Sequence, residues 1–255
     1  MILVISGLKV TIITVSFNSG NTIEATIKSV LSQSYKNIEY IIVDGASIDS
    51  TAKIVAKYKK KIAIFVSKKD KGLYDAMNKG ARLSSGDLVY FLNADDVLKD
   101  NKVIENIVRA FEKGIDFIYG DIEMYYPEEN IFVRASRKAS IKELANGNMP
   151  PHQGSFIKRN VLLKNPFDIH YKSSADFDFF CRILKKGAVG KKLNIVVATM
   201  RMGGISSGKI SYLETEHAVL LYFGIFSFCK IVIKHKVFFV AKILTNVIGL
   251  KVHLG

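Results

Sequence analysis

The sequence predicts an α/β fold in which helices flank a mostly parallel sheet, followed by a helical extension at the carboxyl end. Between residues 10 and 116, short apolar runs alternate with segments whose apolar residues recur at helical spacing. Such alternation, with short connections, is typical of βαβ units. The chain has 255 residues, 49% of them hydrophobic, so it is large enough to bury one sizeable core.

The first half of the chain predicts strands and helices in turn. A β-branched run at 10–15 predicts a buried parallel strand. A helix begins at Asn21, since Glu24 lies three residues later at the spacing of a capping pair. The later elements show the same two patterns, which are short apolar runs for strands and apolar residues at helical spacing for helices. They are strands 40–43, 62–66 and 88–92, and helices 50–58, 74–83 and 102–111.

After residue 116 the pattern becomes less regular. The predicted elements are strands 117–119, 131–134 and 193–200, and helices 141–144 and 177–184. Residues 146–153 contain Gly and Pro and predict a loop.

Polar side chains follow each of the first four predicted strands. They are Ser16 and Asn18; Asp44 and Ser47; Lys68, Lys69, Asp70 and Gly72; and Asn93, Asp95 and Asp96. In an open parallel sheet, ligands bind just beyond the carboxyl ends of the strands. The four clusters therefore predict one polar crevice, although each cluster alone would also suit a solvated loop.

The adjacent carboxylates of Asp95 and Asp96 end an apolar strand, where they repel each other unless a positive charge lies beside them. Mg²⁺ typically binds one or two carboxylates together with substrate phosphates. The pair therefore indicates a metal-assisted reaction on a phosphate-bearing substrate. The alternative is a turn with helix-capping aspartates.

Other polar residues suit a nucleotide. Asp44 can accept hydrogen bonds from a base or a ribose, and Lys69 can approach phosphate, although a solvated surface lysine is the default. Gly72 allows close backbone approach. Asn78 shares a helix face with Asp75 and would either contact the ligand or tie this helix to a neighbouring loop.

A series of short motifs occurs in one order along the chain. They are Val15-Ser16-Phe17-Asn18, Ile42-Val43-Asp44-Gly45-Ala46-Ser47, Asp49, Asp70-Lys71-Gly72-Leu73-Tyr74-Asp75-Ala76-Met77-Asn78-Lys79-Gly80, Gly86-Asp87, Phe91-Leu92-Asn93-Ala94-Asp95-Asp96, His152-Gln153, Ala175-Asp176-Phe177-Asp178 and Gly203-Gly204-Ile205-Ser206. Together they resemble the bacterial family 2 glycosyltransferases with the GT-A fold, which build O-antigen, capsule and exopolysaccharide.

The resemblance implies that a sugar passes with inversion from a nucleotide-diphosphate sugar, UDP-sugar being the expectation, to a glycan or polyprenyl-diphosphate-linked acceptor. It places the donor site on a set of strand-end residues. They are Ser16, Asn18, Asp44, Lys69, Asp70, Gly72, Asn78, Asn93 and Ala94.

The family's metal motif falls on Asn93-Ala94-Asp95, and Mg²⁺ or Mn²⁺ is the expected cation. The family often has Asp in the first place, where this chain has Asn93. The resemblance therefore implies that Asp95 lies closest to the cation, with Asn93 and Asp96 supporting it.

The family's catalytic base falls on Asp176. The family commonly has a Glu-Asp pair there, and Ala175 replaces the Glu, so Asp178 competes for the role. The bland alternative is that Asp176 only caps the helix after it.

Two later loops are candidates for acceptor contact or closure. His152 and Gln153 follow two prolines in a loop that would cover the donor or contact the acceptor, and a structural histidine is the alternative. Arg201 and Ser206 flank the Gly203-Gly204 pair, which would hinge a lid or form an ordinary turn.

The composition changes near the carboxyl end, which divides the chain into a catalytic domain at 1–207 and an extension at 208–255. Residues 218–229 are almost wholly apolar, and lysines interrupt the pattern afterwards, as in helices that lie on anionic membranes. The alternatives are packing on the catalytic domain or on a partner in a homo-oligomer. The expected location is the cytoplasm, peripheral on the inner face of the cell membrane.

The formal net charge of +14 favours anionic partners. Nucleic acid is not expected, because no basic helix or aromatic-basic motif is present. Two rival functions remain: a nucleotidyltransferase, although the loop at 16–20 lacks the basic character such an enzyme needs, and a nucleotide-sugar-binding protein without transferase activity.

Overall fold

A computed structural model describes residues 7–203 and 209–248, with side chains described as far as Val237. Strands and helices alternate in the first half of the chain. The elements are β1 (Val10–Ser16), α1 (Ile23–Leu31), β2 (Ile38–Asp44), α2 (Thr51–Lys57), β3 (Ile64–Ser67), α3 (Leu73–Leu83), β4 (Leu88–Phe91), β5 (Val97–Leu98) and α4 (Val103–Ala110).

The second half begins with a long strand and ends with a long helix. Its elements are β6 (Phe117–Tyr126), β7 (Ile131–Ala135), α5 (Ile141–Ala145), β8 (Ser155–Lys158), α6 (Arg159–Lys164), α7 (Ala175–Lys185), β9 (Gly190–Arg201) and α8 (Lys209–Ile248). A 3₁₀ helix, His152–Gly154, precedes β8 directly.

The described strands form one sheet in the order β3-β2-β1-β4-β8-β6-β9-β5, with β7 paired to β6. β1 to β4 pair in parallel. Ser16 on β1 lies level with Asp44 on β2, and Asp44 lies level with Ser67 on β3. The carboxyl ends of these three strands therefore meet at one edge, as the polar clusters predicted.

The sheet becomes mixed in its second half. β8 pairs antiparallel with both β4 and β6, whereas β6 and β9 pair in parallel. The predicted α/β class with a sheet between helices is confirmed. The antiparallel insertion of β8 is a feature that the alternation in the first half did not predict.

The sheet buries an apolar layer on each of its faces. One layer packs α1, α2 and α4 against the sheet, and the other packs α3, α6 and α7 against it. The contact is closest at Gly80 on α3, where an added Cβ would lie 2.5 Å from Cγ2 of Ile13. A larger residue there would force the helix away from β1, so Gly80 fixes the approach of α3 to the sheet.

The extension helix α8 is broken at Gly224, whose backbone is non-helical with φ 78°. Beyond the break the chain turns back, because His235 Nδ1 lies 2.7 Å from Glu216 Oε1 and the His235 ring meets that of Tyr212. The part of α8 with described side chains is therefore a helical hairpin. Its first limb, residues 209–223, contacts both α5 and α7.

By length and composition, the 29 residues Lys209–Val237 make a helix apolar enough to cross a membrane, with mean hydropathy 1.6. The reversal at Gly224 means that this stretch is not one straight span. At the turn, Leu220, Leu221, Ile225 and Phe226 are all exposed. We call these four residues the apolar tip. The predicted boundary at 207 and 208, like Ser206, lies outside the described residues.

A buried carboxylate on β2 connects β1 to the segment that follows α3. Glu39 on β2 accepts hydrogen bonds from Thr11 Oγ1 (2.7 Å), Lys9 Nζ (3.0 Å) and the Ser85 backbone N (2.7 Å). Burial alone would raise its pKa, but the hydrogen bonds from Ser85, Thr11 and Lys9 outweigh burial and lower the pKa to about 2. Because the folded pKa lies below the ordinary 4.5, the charged form stabilises the fold above pH 4.5.

Replacing Glu39 by Gln should therefore lower the free energy of unfolding at pH 7 by about 1–3 kcal/mol. The difference from the parent should shrink as the pH falls from about 4.5 toward 2, because the parent then loses the same charge. Urea denaturation at pH 7 and pH 3 measures both values. Glu24→Gln, which removes an exposed pair with Lys28, is the control and should change stability by less than about 1 kcal/mol. An equal loss in both variants would contradict this role for Glu39.

Candidate active site

Asp44 organises the edge of the sheet where β1, β2 and β3 end. Its carboxylate is fully buried and accepts hydrogen bonds from Ser16 Oγ (2.9 Å), Ser67 Oγ (2.7 Å) and the Ser47 backbone N (2.9 Å). Three strand ends are thus held by one side chain. Any nucleoside contact by Asp44 would share its oxygens with these serines.

The loops after β1 and β2 are joined to each other above Asp44. Asn18 has φ 48° and accepts a hydrogen bond from the Ile48 backbone N, while its own N–H donates to Ser47 Oγ at 2.8 Å. The neighbouring Phe17 is 65% exposed. An aromatic ring held at the open edge of this crevice is available to stack on a base.

The loop after β3 covers the same place. Asp70 lies over Gly45, where an added Cβ would be 2.8 Å from Asp70 Oδ2. Asp70 Oδ1 accepts from the Gly72 backbone N, and Gly72, with φ 115°, begins α3. Lys69 is exposed on this loop. The structure thus brings the predicted Ser16, Asn18, Asp44, Lys69, Asp70 and Gly72 to one edge.

Residues 93–96, which follow β4 and which we call the acidic run, contain one exposed carboxylate and one buried carboxylate. Asp95 is exposed, yet partial loss of water raises its pKa, and the positive charge of Arg201 opposes that rise. Asp96 is buried, and burial together with the charge of Asp95 raises its pKa to about 7. A carboxylate whose pKa is raised by burial and by a neighbouring carboxylate is stabilised in its charged form by a positive charge nearby. Ala94, between Asn93 and Asp95, is buried in the core.

The end of β9 reaches this acidic run from the far side of the sheet. The Arg201 backbone N donates to Asp96 Oδ1 at 2.9 Å across 105 residues of sequence. The guanidinium of Arg201 is close enough to lower the pKa of Asp95. Arg201 therefore supplies a cation beside the two carboxylates, as an anionic diphosphate would need.

Asp176 lies in the first turn of α7 with both carboxylate oxygens engaged. His152 Nδ1 is 2.7 Å from Oδ2, and Tyr74 Oη donates to Oδ1 at 3.2 Å. Burial and the nearby Asp176 raise the pKa of Tyr74, so the phenol stays a donor. Helix α7 begins at Ala175, so Asp176 is not the residue that caps it. Tyr74 occurs in a motif noted in the sequence, but nothing there indicated this bond.

His152 connects the two acidic groups. Its charged form is near enough to Asp96 to lower the pKa of that carboxyl, while its Nδ1 holds Asp176. His152 thus lies between Asp96 on the acidic run and Asp176 on α7, which brings these two parts of the chain close together. His152 Nε2 is buried and makes no hydrogen bond.

Comparison with known proteins identifies the family. The profile of glycosyl transferase family 2 matches residues 11–186, which is most of the described catalytic domain. The chain belongs to glycosyl transferase family 2. The resemblance found in the motifs is confirmed, and so is its prediction of a glycosyltransferase.

Relatives within family 2 share about a third of their residues with the chain. WfaP of Escherichia coli, a UDP-Glc:α-D-GlcNAc-diphosphoundecaprenol β-1,3-glucosyltransferase, is 31% identical over 223 residues, covering 85% of this chain and 87% of WfaP. A glycosyltransferase of Mycobacterium tuberculosis is 32% identical over 179 residues, covering 68% of each chain.

Solved structures with the same fold are more distant in sequence. TarS of S. aureus in complex with UDP-GlcNAc has a TM-score of 0.68 at 18% identity, and the match covers 84% of this chain and 65% of that one. Glucosyl-3-phosphoglycerate synthase of Mycobacterium tuberculosis, in complex with Mn²⁺ and UDP, has a TM-score of 0.63 at 16% identity and covers 86% and 81%. These similarities confirm the GT-A-like fold.

The acidic run has room for the cation that family 2 enzymes of this kind suggest. Asn93 Oδ1 and Asp96 Oδ2 are buried without a hydrogen-bond partner, and the exposed carboxylate of Asp95 lies beside them. Carboxylate and carbonyl oxygens are the ligands that Mg²⁺ and Mn²⁺ prefer, and an oxygen without a hydrogen-bond partner is free to bind one. Within the described residues no three His, Cys, Asp or Glu side chains form a metal cluster by themselves. The residues therefore fit a cation that takes further ligands from a substrate.

Three other predicted site residues have structural partners in this family 2 chain. Asn78 is buried, and its amide bonds both the N–H (3.0 Å) and the C=O (2.8 Å) of Phe167, so it ties α3 to the loop before α7, one of the two roles considered for it. Gln153 Nε2 donates to Met200 Sδ at 3.1 Å. Asp178 accepts from Arg182 Nε (2.8 Å) and Tyr222 Oη (2.7 Å).

Proposed function

We propose that the chain transfers a sugar from a UDP-sugar to a hydroxyl group of a lipid-linked saccharide, with inversion and with help from Mg²⁺ or Mn²⁺, in the biosynthesis of a surface polysaccharide such as O-antigen. The observation that carries the proposal is that His152 bonds Asp176 and is also close enough to Asp96 to lower its pKa, so the proposed base lies near the acidic run. Two similar proteins support it: WfaP acts on a lipid-linked acceptor, and the structure of TarS contains a UDP-sugar.

The donor would lie along the edge where β1 to β4 end. The loops around Asp44 would hold the nucleoside, with Phe17 against the base and Lys69 near the phosphates. Arg201 would meet the diphosphate beside Asp95. The cation, held by Asp95 with Asp96 and Asn93, would offset the charge that develops on the leaving diphosphate.

The acceptor hydroxyl must lose a proton as it attacks the anomeric carbon from the face opposite the diphosphate. Asp176, which His152 connects to the acidic run, is the proposed proton acceptor. Tyr74 and His152 hold its two oxygens, which fixes the direction in which the carboxylate points. A base held in this way is in place before the acceptor arrives.

A direct assay tests the proposal. The full chain would be incubated with a panel of UDP-sugars, Mn²⁺ and a diphosphate-lipid-linked monosaccharide, and the product would be analysed by mass spectrometry and NMR. We expect one sugar added to the acceptor and a β-linkage from an α-linked donor. Donor binding without transfer to any acceptor would favour a nucleotide-sugar-binding protein. Nucleotide found attached to the product would favour a nucleotidyltransferase.

The apolar tip of α8 would place the enzyme on the inner face of the cell membrane. Phe226 is 91% exposed at the turn, and the second limb then carries the exposed Lys236, while Lys230 and Lys234 donate to Asn146 and Asn148. Apolar side chains that enter the lipid boundary, with lysines near anionic headgroups, are typical of interfacial helices. The proposed location is therefore cytoplasmic and peripheral.

Replacing Ile225 and Phe226 together by Ser should weaken binding to vesicles of anionic phospholipid about tenfold or more, because both side chains lose their transfer into lipid. Vesicle sedimentation measures the bound fraction, and the melting temperature should stay near that of the parent. Phe132→Ser is the matched control, since Phe132 is also exposed but lies on β7. Equal binding by all three proteins would exclude the apolar tip as the membrane contact.

A further inference from the structure

A second cavity lies on the side of α7 away from Asp176. Its volume is about 800 Å³, within the range of small-molecule sites. The loop at 166–171 forms one wall, α7 another, and the first limb of the α8 hairpin the third. None of the proposed donor residues lines this cavity. It is therefore separate from the nucleotide edge of the sheet.

Most of the surface inside this cavity is apolar or aromatic, although six of its twelve lining residues are charged or histidine. Phe167, Tyr171, Leu213, Leu221 and Tyr222 line it. Such walls suit a hydrocarbon chain better than a free sugar, which needs several polar partners.

The acidic side chains of the cavity are already engaged within the protein. Asp178 is held by Arg182 and by Tyr222. Glu214 accepts from the backbone N–H groups of Lys172 (2.7 Å) and Ser174 (3.0 Å). Of the three acidic residues that line the cavity, Asp178 is paired with Arg182, whereas Asp168 and Glu214 keep their charge, so the apolar wall and not the charge of the lining favours a lipid.

The cavity is adjacent to the proposed base. Asp178, which lines it, lies two residues from Asp176, and two residues turn a helix by roughly 200°. The two carboxylates thus face opposite sides of α7. Phe167 on the cavity wall also packs against Tyr74, with ring centroids 5.6 Å apart, and Tyr74 donates to Asp176. Phe167 and Tyr74 thus connect the wall of the cavity to the carboxylate of Asp176.

The cavity is also continuous with the apolar tip. Leu221 belongs to both: it lines the cavity and is 64% exposed at the turn of the hairpin. His170 and His217 lie at the exposed rim and carry N–H groups that can donate to a phosphate. A lipid could pass from the membrane surface into the cavity along the tip without exposing its chain to water.

We infer that this cavity binds the isoprenoid chain of the lipid-linked acceptor next to its diphosphate. The inference rests on the proposed function, since it names the part of the acceptor that the enzyme recognises besides the sugar. The hairpin then has two roles: it contacts the membrane with its tip and forms one wall of the acceptor site with Leu213.

Two equally exposed leucine-sized residues on the first limb allow a matched test. Leu213 lines the cavity and Ile210 does not, and each is 54% exposed. Leu213→Trp would narrow the cavity, and Ile210→Trp would not. The KM values would be measured for two acceptors with the same sugar and diphosphate, one on a long polyprenyl chain and one on a short alkyl chain.

We expect Leu213→Trp to raise the ratio of the long-chain KM to the short-chain KM about tenfold, and Ile210→Trp to leave it as in the parent. An equal rise for both acceptors would mean that the cavity binds the sugar, which would overturn the inference. An unchanged ratio in both variants would overturn it as well.

A binding assay makes the inference independent of activity. Farnesyl diphosphate, with EDTA present to weaken any contact at the metal motif, should raise the melting temperature of the parent and of Ile210→Trp but not of Leu213→Trp. Inorganic diphosphate should give no such difference between the variants. If all three proteins respond alike to farnesyl diphosphate, the cavity does not bind the chain, even where sugar transfer is observed. If transfer is absent but the farnesyl difference remains, the proposed reaction fails and the lipid site stands.

Discussion

Replacing Asp176 by Asn should leave binding of the UDP-sugar intact and slow sugar transfer by about 10²–10⁴-fold, the usual contribution of a positioned base. The amide has the same size as the carboxylate, so α7 and the contacts with Tyr74 and His152 can be kept. The amide cannot take the proton of the acceptor hydroxyl. Donor titration and single-turnover kinetics would separate binding from transfer.

Asp178→Asn is the control for this variant, because Asp178 lies on the same helix and is the alternative candidate for the base. Asp178 is paired with Arg182 and Tyr222, so its loss should lower the melting temperature by weakening the attachment of α8. Its effect on the transfer step should be much smaller than that of Asp176→Asn. Near-normal turnover by Asp176→Asn would exclude Asp176 as the base.

Replacing Asp95 by Ala should lower transfer by about 10²–10³-fold or more and should remove its dependence on Mn²⁺. Asp95 is exposed, so the fold should be unaffected. Asp96 would keep its backbone hydrogen bond from Arg201. The parent should melt at a higher temperature with UDP and Mn²⁺ than with UDP and EDTA, and the variant should lose this difference.

Asp100→Asn is the matched control, since Asp100 follows the acidic run by a few residues and its exposed carboxylate accepts from the Lys102 backbone N at 2.7 Å. It should keep both the activity and the metal-dependent rise in melting temperature. If Asp95→Ala keeps the metal dependence of the parent, the cation is held elsewhere.

The sequence predicted the parallel half of the fold well because each element carries its own signal. β1 is a β-branched run, and α3 repeats its apolar residues at helical spacing. β8 was not predicted, since four residues between a proline-rich loop and a short helix have no periodicity of their own. It becomes a strand because β4 and β6 lie on either side of it.

In the candidate site, too, the sequence predicts the residues that carry a local signal and not the contacts between distant parts of the chain. Ser16, Asp44 and Asp95 could be placed from the sequence, because strand ends in a parallel sheet meet at one edge. The bond from the Arg201 backbone to Asp96 spans 105 residues, so no local pattern could indicate it. The partners of Asp176 likewise come from α3 and from the loop before β8.

The sequence of the carboxyl-terminal extension contains one residue, Gly224, that indicates a break in its helix. Its lysines do not form one clean helical face, which made an amphipathic helix an imperfect interpretation. Gly224 lies at the centre of the apolar stretch, and with φ 78° it turns one helix into two limbs. A glycine at such a place is the residue that can adopt this conformation at little cost.

The bonds between the extension and α7 have a mechanical consequence. Tyr222 holds Asp178, and Glu214 holds the backbone N–H of Ser174, immediately before α7 begins. The first limb of α8, which leads to the apolar tip, therefore also holds the first turn of α7, where Asp176 lies. Cutting the chain before this limb should therefore destabilise the start of α7 as well as remove the apolar tip.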